Sequence, residues 1–132
     1  MIRWLLDTNA IIALLKGNFP HFTSRVIAEK PESFGLSVIV YHELIYGAAK
    51  SARPEQNVQL IEAIAFPLLG FEPKDASAAG QIRGQLAKLG TPIGPLDVLI
   101  AGQALARDLV LITDNVREFS RIPDLKHENW LR

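Results

Sequence analysis

Short continuous apolar runs alternate along the chain with longer segments in which apolar residues recur at every third or fourth position. Such runs are typical of buried strands, and the recurring pattern is typical of helices packed on a core. Strands are therefore predicted at 2–6, 36–40, 67–71, 109–112 and, at one edge, 127–131. Helices are predicted at 9–16, 20–30, 41–50, 54–66, 75–89 and 96–106. This alternation predicts the α/β class, with a central, mainly parallel sheet covered by helices on both faces.

Length and composition predict one globular domain that spans residues 1–132. Hydrophobic residues make up 48% and charged residues 21% of the chain, which excludes the disordered and collagen-like classes. The 14 basic residues balance the 14 acidic ones, so no overall field attracts nucleic acid. Any contact with nucleic acid must therefore come from a local patch.

The cellular location is predicted from three further features. The chain has no cysteine, which excludes disulfides and thiolate metal sites and fits a reducing compartment. Its longest apolar region, 98–112, is interrupted by Gln103, Arg107 and Asp108 and is too short to span a bilayer. The first apolar run meets Asp7 too soon for a signal peptide. These features predict a cytoplasmic protein without a membrane segment.

Acidic residues stand near the ends of the predicted strands. Asp7 ends the first strand, and Glu43 lies in the first turn of the helix after the second. Asp114 and Asn115 follow the fourth strand, and Asp97 opens the apolar helix that leads into it. Because ligands gather at the carboxyl ends of parallel strands, which meet at one edge of the sheet, these side chains are expected to converge.

Each of these residues also has an ordinary structural interpretation. Asp7 suits the N-cap of the helix that follows it. Glu43 suits a first helical turn, where a negative charge interacts with the helix dipole. Its helical neighbours are largely apolar, however, so a carboxylate there requires a partner. Asp114 and Asn115 suit a turn after a strand.

A convergence of these carboxylates favours a bound cation, because like charges a few ångströms apart cannot all stay ionised without one. No Lys or Arg is adjacent to them in sequence, and no His lies beside Asp7 or Asp97. Oxygen ligands favour Mg²⁺ or Mn²⁺ over Zn²⁺. Such ions activate water and stabilise phosphoryl transition states. The residues thus predict metal-dependent phosphodiester hydrolysis, with a phosphatase or phospho-acceptor module as the alternative.

Linked motifs, in order along essentially the whole chain, carry a more specific signal. They are Leu-Asp-Thr-Asn at 6–9, Tyr-His-Glu-Leu-Ile-Tyr-Gly-Ala at 41–48, Pro-Ile-Gly-Pro-Leu-Asp-Val-Leu-Ile-Ala at 92–101, Ile-Thr-Asp-Asn-Val-Arg-Glu-Phe at 112–119 and Glu-Asn-Trp at 128–130. Together these motifs resemble those of the PIN-domain ribonucleases. The chain is most similar to the VapC toxins of bacterial toxin–antitoxin pairs, in the subgroup that cuts initiator tRNA.

The resemblance implies a three-layer α/β/α sandwich and a Mg²⁺-dependent endoribonuclease that also accepts Mn²⁺. It implies that Asp7, Glu43 and Asp97 bind the metal and are catalytic. A fourth catalytic position is Asp in some members of the family and Asn in others. Here it is Asn115, with Asp114 beside it as a supporting residue.

Other residues are expected to support the pocket or to hold the RNA. Thr113 matches a hydroxyl residue that lines the pocket, and Asn9 is expected to steady the first carboxylate by a hydrogen bond. A tRNA also needs phosphate contacts, and Arg117, Arg83 and Lys88 are the expected ones. The target implied by the resemblance is the anticodon stem-loop of initiator tRNA.

The resemblance also implies a homodimer and a VapB-type antitoxin. The antitoxin is expected to lay apolar side chains in a groove near the first helices and to place a cation at the carboxylates. Two other functions stay open at this point. One is a structure-specific DNA nuclease of the same fold, and the other is a catalytically inactive interaction module whose acidic pocket receives an arginine from a partner.

Overall fold

Five parallel strands form the centre of the computed structural model, which describes residues 1–132. In chain order they are β1 (Trp4–Leu6), β2 (Phe34–Ser37), β3 (Leu68–Leu69), β4 (Val110–Ile112) and β5 (His127–Glu128). Their order across the sheet is β3-β2-β1-β4-β5, and every neighbouring pair is parallel. The predicted sheet is confirmed, and it is parallel throughout.

Seven helices accompany the strands, and four of them begin at a proline. They are α1 (Thr8–Lys16), α2 (Pro20–Ile27), α3 (Val38–Ala49), α4 (Pro54–Glu62), α5 (Pro73–Lys88), α6 (Pro95–Ala106) and α7 (Val116–Phe119). Proline suits the first helical position because its missing N–H would be unpaired there and its ring fixes a helical φ. Gly17 ends α1 in the left-handed region, at φ 67°, which glycine adopts without strain.

The connections divide the helices between the two faces of the sheet. The chain steps from β1 to β2 to β3, returns to β4 on the other side of β1, and ends at β5. Because crossovers between parallel strands are right-handed, the first four helices cover one face and the last three the other. Contacts of α3 with α1 and α4, and of α5 with α6, agree with this division. The three-layer α/β/α architecture is confirmed, and the winding direction reverses between β1 and β4.

The two central strands are buried on both faces, which explains their continuous apolar sequences. Leu5 and Leu6 of β1, and Leu111 and Ile112 of β4, have no exposed surface. They belong to a cluster of 28 buried apolar residues. The residues that directly follow these strands therefore leave the sheet from a fixed, tightly packed base.

The second strand lies earlier in the chain than its pattern predicts. Three β-branched residues at 38–40 favour a strand, but α3 already begins at Val38. Ser37 causes this, since its buried side chain accepts a hydrogen bond from Ile39 N–H at 3.1 Å and caps the helix. The predicted strand 36–40 is corrected to Phe34–Ser37. Glu43 consequently lies in the second turn of α3, not in the first as predicted.

The helix α7 is absent from the predicted elements, because four residues are too few to show a helical period. The other predicted helices and strands are present, with ends that differ by a few residues. None of the helices combines the length and the hydrophobicity that crossing a membrane requires.

A partly buried ion pair joins α5 to the C-terminal end of α6. Arg107 donates hydrogen bonds to the two carboxylate oxygens of Asp75, at 3.1 and 2.8 Å, and to Gly70 O at 2.7 Å. Burial raises the pKa of Asp75, but hydrogen bonds from Arg107 and from Glu72 N–H, together with the charge of Arg107, hold it below its ordinary value. The pair fixes α6 relative to α5.

The same two helices approach each other closely at Gly102, in the middle of α6. A Cβ placed on Gly102 would lie 2.5 Å from Ala79 Cβ and 2.6 Å from the Ala79 backbone. Such distances are far below van der Waals contact, so any larger residue at 102 must push the helices apart.

We expect Gly102→Ala to lower the free energy of unfolding by about 1–3 kcal/mol, because an overpacked contact forces backbone shifts. Gly84→Ala is the matched control, since nothing lies within 4 Å of a Cβ placed on Gly84 of α5. That change should raise stability by about 0.5–1 kcal/mol, the helical preference of alanine over glycine. Urea unfolding measures both, and equal effects would contradict the close approach of α5 and α6.

Candidate active site

Asp7 is the first residue after β1, and both of its carboxylate oxygens accept hydrogen bonds. Oδ1 accepts from Ala10 N–H at 2.9 Å, so Asp7 caps α1 as its ordinary structural interpretation predicts. Oδ2 accepts from Thr113 Oγ1 at 2.5 Å. Only 4% of the residue is exposed. The capping role and a place in the acidic pocket are therefore compatible, because each uses a different oxygen.

Thr113 reaches Asp7 because β1 and β4 are neighbours in the sheet. Leu6 is paired with Ile112, so the next residue of each strand leaves the sheet at the same height. Thr113 is fully buried, and its Oγ1 also accepts a hydrogen bond from Asn115 N–H at 2.9 Å. This second bond orients the hydroxyl so that its proton points to Asp7. The predicted place of Thr113 at the pocket agrees with this geometry.

Glu43 projects from α3 toward the start of α1. Its Oε1 accepts a hydrogen bond from Thr8 Oγ1 at 2.8 Å, and the side chain is half-buried. The partner that its apolar surroundings require is thus the hydroxyl of Thr8. The sequence analysis did not predict Thr8 as a site residue. Its position directly after Asp7, at the end of a strand, is the one sequence feature that could have indicated it.

Asp97 lies in the first turn of α6, and it does not cap that helix. Its carboxylate folds back toward Gly94, where a Cβ would lie 3.0 Å from Asp97 Oδ2, so glycine leaves room for it. Burial raises the pKa of Asp97, and the negative charges of Glu43 and Glu118 raise it further. These charges show that acids from α3, α6 and α7 act on one another.

The segment after β4 contributes three polar residues to the rim of this pocket. Asn115 donates from its side-chain amide to Glu118 Oε2 at 3.0 Å. Asp114 is half-buried, and its Oδ2 lies 3.8 Å from Arg132 Nη2. Sequence reasoning missed Glu118 as a site residue, because its contribution depends on α7, which the pattern does not reveal.

Several other predicted residues lie at the surface. Asn9 is exposed and makes no hydrogen bond with Asp7, so the expected steadying contact is absent and Thr113 supplies it instead. Arg117 is exposed on α7, next to Glu118. Arg83 and Lys88 are exposed on the C-terminal half of α5, whose end leads through a short loop to Asp97.

The electrostatic state of the pocket is set by burial and by repulsion among acids. Burial raises the pKa of Asp7 to about 6, and the charges of Asp114 and Asp97 add to this rise. The hydrogen bonds from Thr113 and Ala10 N–H oppose it but do not cancel it. A positive charge placed between these carboxylates would relieve the repulsion and the cost of burial together.

The donor set fits a hard divalent cation with much of its water retained. All the donors are carboxylate, hydroxyl or amide oxygens, which Mg²⁺ and Mn²⁺ prefer. No three Asp, Glu or His side chains lie close enough together to hold one metal ion among them. Mg²⁺ does not require three such ligands, because it dehydrates reluctantly and binds proteins through one or two carboxylates plus waters. The pocket differs in this respect from a closed, all-protein cage.

Comparison with known proteins agrees with this geometry. Residues 4–125 match the PIN domain family. The chain is 42% identical to the tRNA(fMet)-specific endonuclease VapC of Salmonella typhimurium, over 98% of this chain and 99% of that protein. It belongs to the VapC ribonucleases of the PIN-domain family. Ribonuclease VapC2 of Haemophilus influenzae is 37% identical to it, over 99% of this chain and 100% of that protein.

Solved structures of VapC proteins place this chain in the same fold. The DNA-bound VapBC structure of Salmonella typhimurium superposes with a TM-score of 0.93 at 42% identity, over 98% of this chain and 99% of that one. VapBC-1 of nontypeable Haemophilus influenzae gives a TM-score of 0.89 at 38% identity, over 100% of both chains. The family and the fold predicted from the sequence motifs are therefore confirmed.

The raised pKa of Asp7 predicts that stability depends on pH in the metal-free protein. Between pH 3.8 and about 6 the folded state keeps a proton on Asp7 that the unfolded chain has released. Below this window Asp7 costs the folded protein no stability. The free energy of unfolding then falls as the pH rises through the window. At roughly 1.4 kcal/mol for each pKa unit, the loss above pH 6 is about 3 kcal/mol.

Asp7→Asn should remove this dependence while preserving the fold, because an amide can still accept from Ala10 N–H and can donate to Thr113. The measurement is urea unfolding in EDTA at pH 4 and pH 8. We expect the variant to be more stable than the parent at pH 8 and similar to it at pH 4. Glu29→Gln, which removes an exposed carboxylate, is the control. A variant with the same pH dependence as the parent would show that Asp7 carries no such cost.

Proposed function

We propose that this chain is the toxin of a VapBC-type toxin–antitoxin pair and that it cleaves initiator tRNA in the anticodon stem-loop. In this proposal it acts as a homodimer with Mg²⁺ or Mn²⁺ as cofactor. The observation that carries the proposal is the buried carboxylate of Asp7. Further acids surround it at the point between β1 and β4 where the winding direction of the sheet reverses. The high identity to a tRNA(fMet)-specific endonuclease supports the choice of substrate.

Asp7, Asp97 and Glu43 are the residues that would hold the metal, one or two of them directly and the rest through its water molecules. When bound, a divalent ion polarises the scissile phosphate and lowers the pKa of a water molecule. Thr113 and Thr8 donate to Asp7 and Glu43, and so fix which carboxylate oxygens face the pocket. A carboxylate held in this way loses little freedom when a ligand binds.

Asn115 supports the reaction as a neutral member of the rim. Its amide donates to Glu118, which keeps that carboxylate near Asp97. Because Asn115 adds no charge, the pocket depends on Asp114 and Glu118 for negative charge at this position. Asp114 acts on Asp7, and Glu118 acts on Asp97.

Exposed cations near the pocket would hold the RNA backbone. Arg117 lies on α7 between Asn115 and Glu118, so it reaches out beside the acids. Arg83 and Lys88 extend the positive surface along α5. A fold with only local cations and few aromatic residues suits recognition of a folded RNA by its shape and phosphates.

An apolar groove beside Glu43 supports the assignment of an antitoxin partner. The groove lies between α1, α3 and α4 and has a volume of about 420 Å³. Its lining is largely apolar and includes Ile12, Leu44, Leu60 and Ile61. A segment of the antitoxin laid in this groove would end at the acidic pocket, where a basic side chain could replace the cation.

Cleavage of cellular RNA tests the proposed activity. With Mg²⁺, the purified protein should produce new 5′ ends concentrated in the anticodon of initiator tRNA, whereas EDTA and Asp97→Asn should each abolish them. The substitution removes charge but little volume, so circular dichroism should show an unchanged fold. Ends spread over messenger or ribosomal RNA would reject the tRNA target. Cleavage of DNA alone would favour a DNA nuclease, and no cleavage at all an inactive interaction module.

A substitution in the groove tests the proposed partner. Gly47 of α3 lines the groove and a Cβ there would meet nothing within 4 Å, so the side chain of Gly47→Trp can start without a clash and should occupy the groove. We expect this variant to lose copurification with the small protein encoded beside it, when the two are coexpressed. Gly80→Trp on α5 is the control, since a Cβ there is equally unobstructed. Undiminished copurification of the Gly47 variant would place the partner elsewhere.

A further inference from the structure

Arg132 lies at the rim of the acidic pocket and is not among the cations predicted from the sequence to hold the RNA. Its Nη2 is 3.8 Å from Asp114 Oδ2, and its side chain is 72% exposed. No other Lys or Arg forms an ion pair with an acid of the pocket. Asp114 directly follows Thr113, whose hydroxyl is bonded to Asp7. Arg132 therefore contacts an acid whose charge acts on Asp7.

The position of Arg132 is set by the buried residues before it. Trp130 packs edge-on against Trp4 of β1, with ring centroids 5.2 Å apart, and its Nε1 donates to Glu128 Oε1 at 2.9 Å. Leu131 is also buried, and its N–H donates to Asn129 Oδ1 at 3.0 Å. The backbone is thus anchored to the sheet up to Leu131, and the side chain of Arg132 extends from this anchored end into solvent.

The contact between Arg132 and Asp114 is weak enough to be exchanged for a ligand. Exposed ion pairs contribute little to stability, and a separation of 3.8 Å is longer than a hydrogen bond. A phosphate offers the guanidinium two parallel hydrogen bonds of ideal geometry. An anchored arginine with a weak partner, beside a pocket for phosphodiester chemistry, is suited to bind the backbone of the substrate.

We propose that Arg132 leaves Asp114 to bind an RNA phosphate adjacent to the cleavage site. This inference rests on the proposed RNA cleavage at the same pocket. It assigns to Arg132 a role in holding the substrate, which differs from the metal-binding role of the carboxylates. Loss of Arg132 should therefore weaken RNA binding and raise KM with little change in kcat.

Direct binding to RNA tests this role without cleavage. Fluorescence anisotropy with an initiator tRNA transcript, in EDTA, compares the Asp97→Asn protein with its Arg132→Gln derivative at several salt concentrations. We expect about a tenfold weaker affinity for the derivative, the usual effect of one charge-assisted hydrogen-bond pair. The slope of log affinity against log salt should become shallower by about 0.7–0.9, the value for one lost phosphate contact. Arg132→Lys should recover part of the affinity, since it keeps the charge.

Lys126→Gln is the matched control. Lys126 is an exposed cation paired with Asp108 at 2.8 Å. Asp108 precedes β4 and Lys126 precedes β5, so the pair lies where the strands begin, at the end of the sheet opposite the acidic pocket. This variant should bind RNA as the parent does. Equal losses for the Lys126 and Arg132 variants would overturn the inference, because they would reflect net charge alone.

A protein that carries Asp114→Asn distinguishes two explanations of the effect of Arg132: direct contact with an RNA phosphate, or neutralisation of the charge of Asp114. If Arg132 binds RNA, Arg132→Gln should weaken binding equally in a protein that also carries Asp114→Asn. If its effect vanishes in that background, Arg132 acts only on Asp114, and the inference is wrong. A parent protein that binds no tRNA at all would overturn the proposed function and this inference with it.

Discussion

The pairing of β1 with β4 is the constraint on which the acidic pocket depends. These strands lie far apart in the chain, yet Leu6 and Ile112 are paired in the sheet and Asp7 and Thr113 follow them directly. The hydrogen bond between these two side chains joins the ends of β1 and β4, between which the winding direction of the sheet reverses. Helices α3, α6 and α7 bring Glu43, Asp97 and Glu118 to this point, and Asp114 follows Thr113 directly in the loop after β4.

The pocket keeps a charge arrangement that works against stability. Asp7 receives two hydrogen bonds, yet burial and neighbouring acids still raise its pKa. The fold withstands this cost because the surrounding framework is rigid, with apolar central strands and with α6 fixed to α5 by the pair of Arg107 and Asp75. A functional site that is unfavourable without its ligand is a common compromise between stability and activity.

Much of the fold and the main acids could be predicted from local sequence, because buried parallel strands leave continuous apolar runs. Asp7 and Asp97 stand directly beside such runs, so their convergence follows from strand order. The start of α3 could not be predicted from β-branched residues, since a single capping bond from Ser37 decides it.

Contacts between distant segments could not be predicted in the same way. Thr8 contacts Glu43 across 35 positions of the chain, and Arg132 meets Asp114 only after the last strand has joined the sheet. Asn9 is the opposite case, since it lies close to Asp7 in sequence but faces solvent. Closeness to the predicted strands therefore indicated which acids line the pocket, but it did not indicate which side chains form hydrogen bonds or ion pairs with them.

The central claim is that the carboxylates around Asp7 form a cation site, and thermal unfolding with added Mn²⁺ tests it most directly. Protein treated with EDTA and then titrated at pH 7.5 should show a Tm that rises with Mn²⁺, because a ligand that binds only the folded state stabilises it. Asp97→Asn should lose most of this rise, whereas Glu29→Gln should keep it. A Tm unaffected by millimolar Mn²⁺, or an equal rise in the Asp97 variant, would contradict the account.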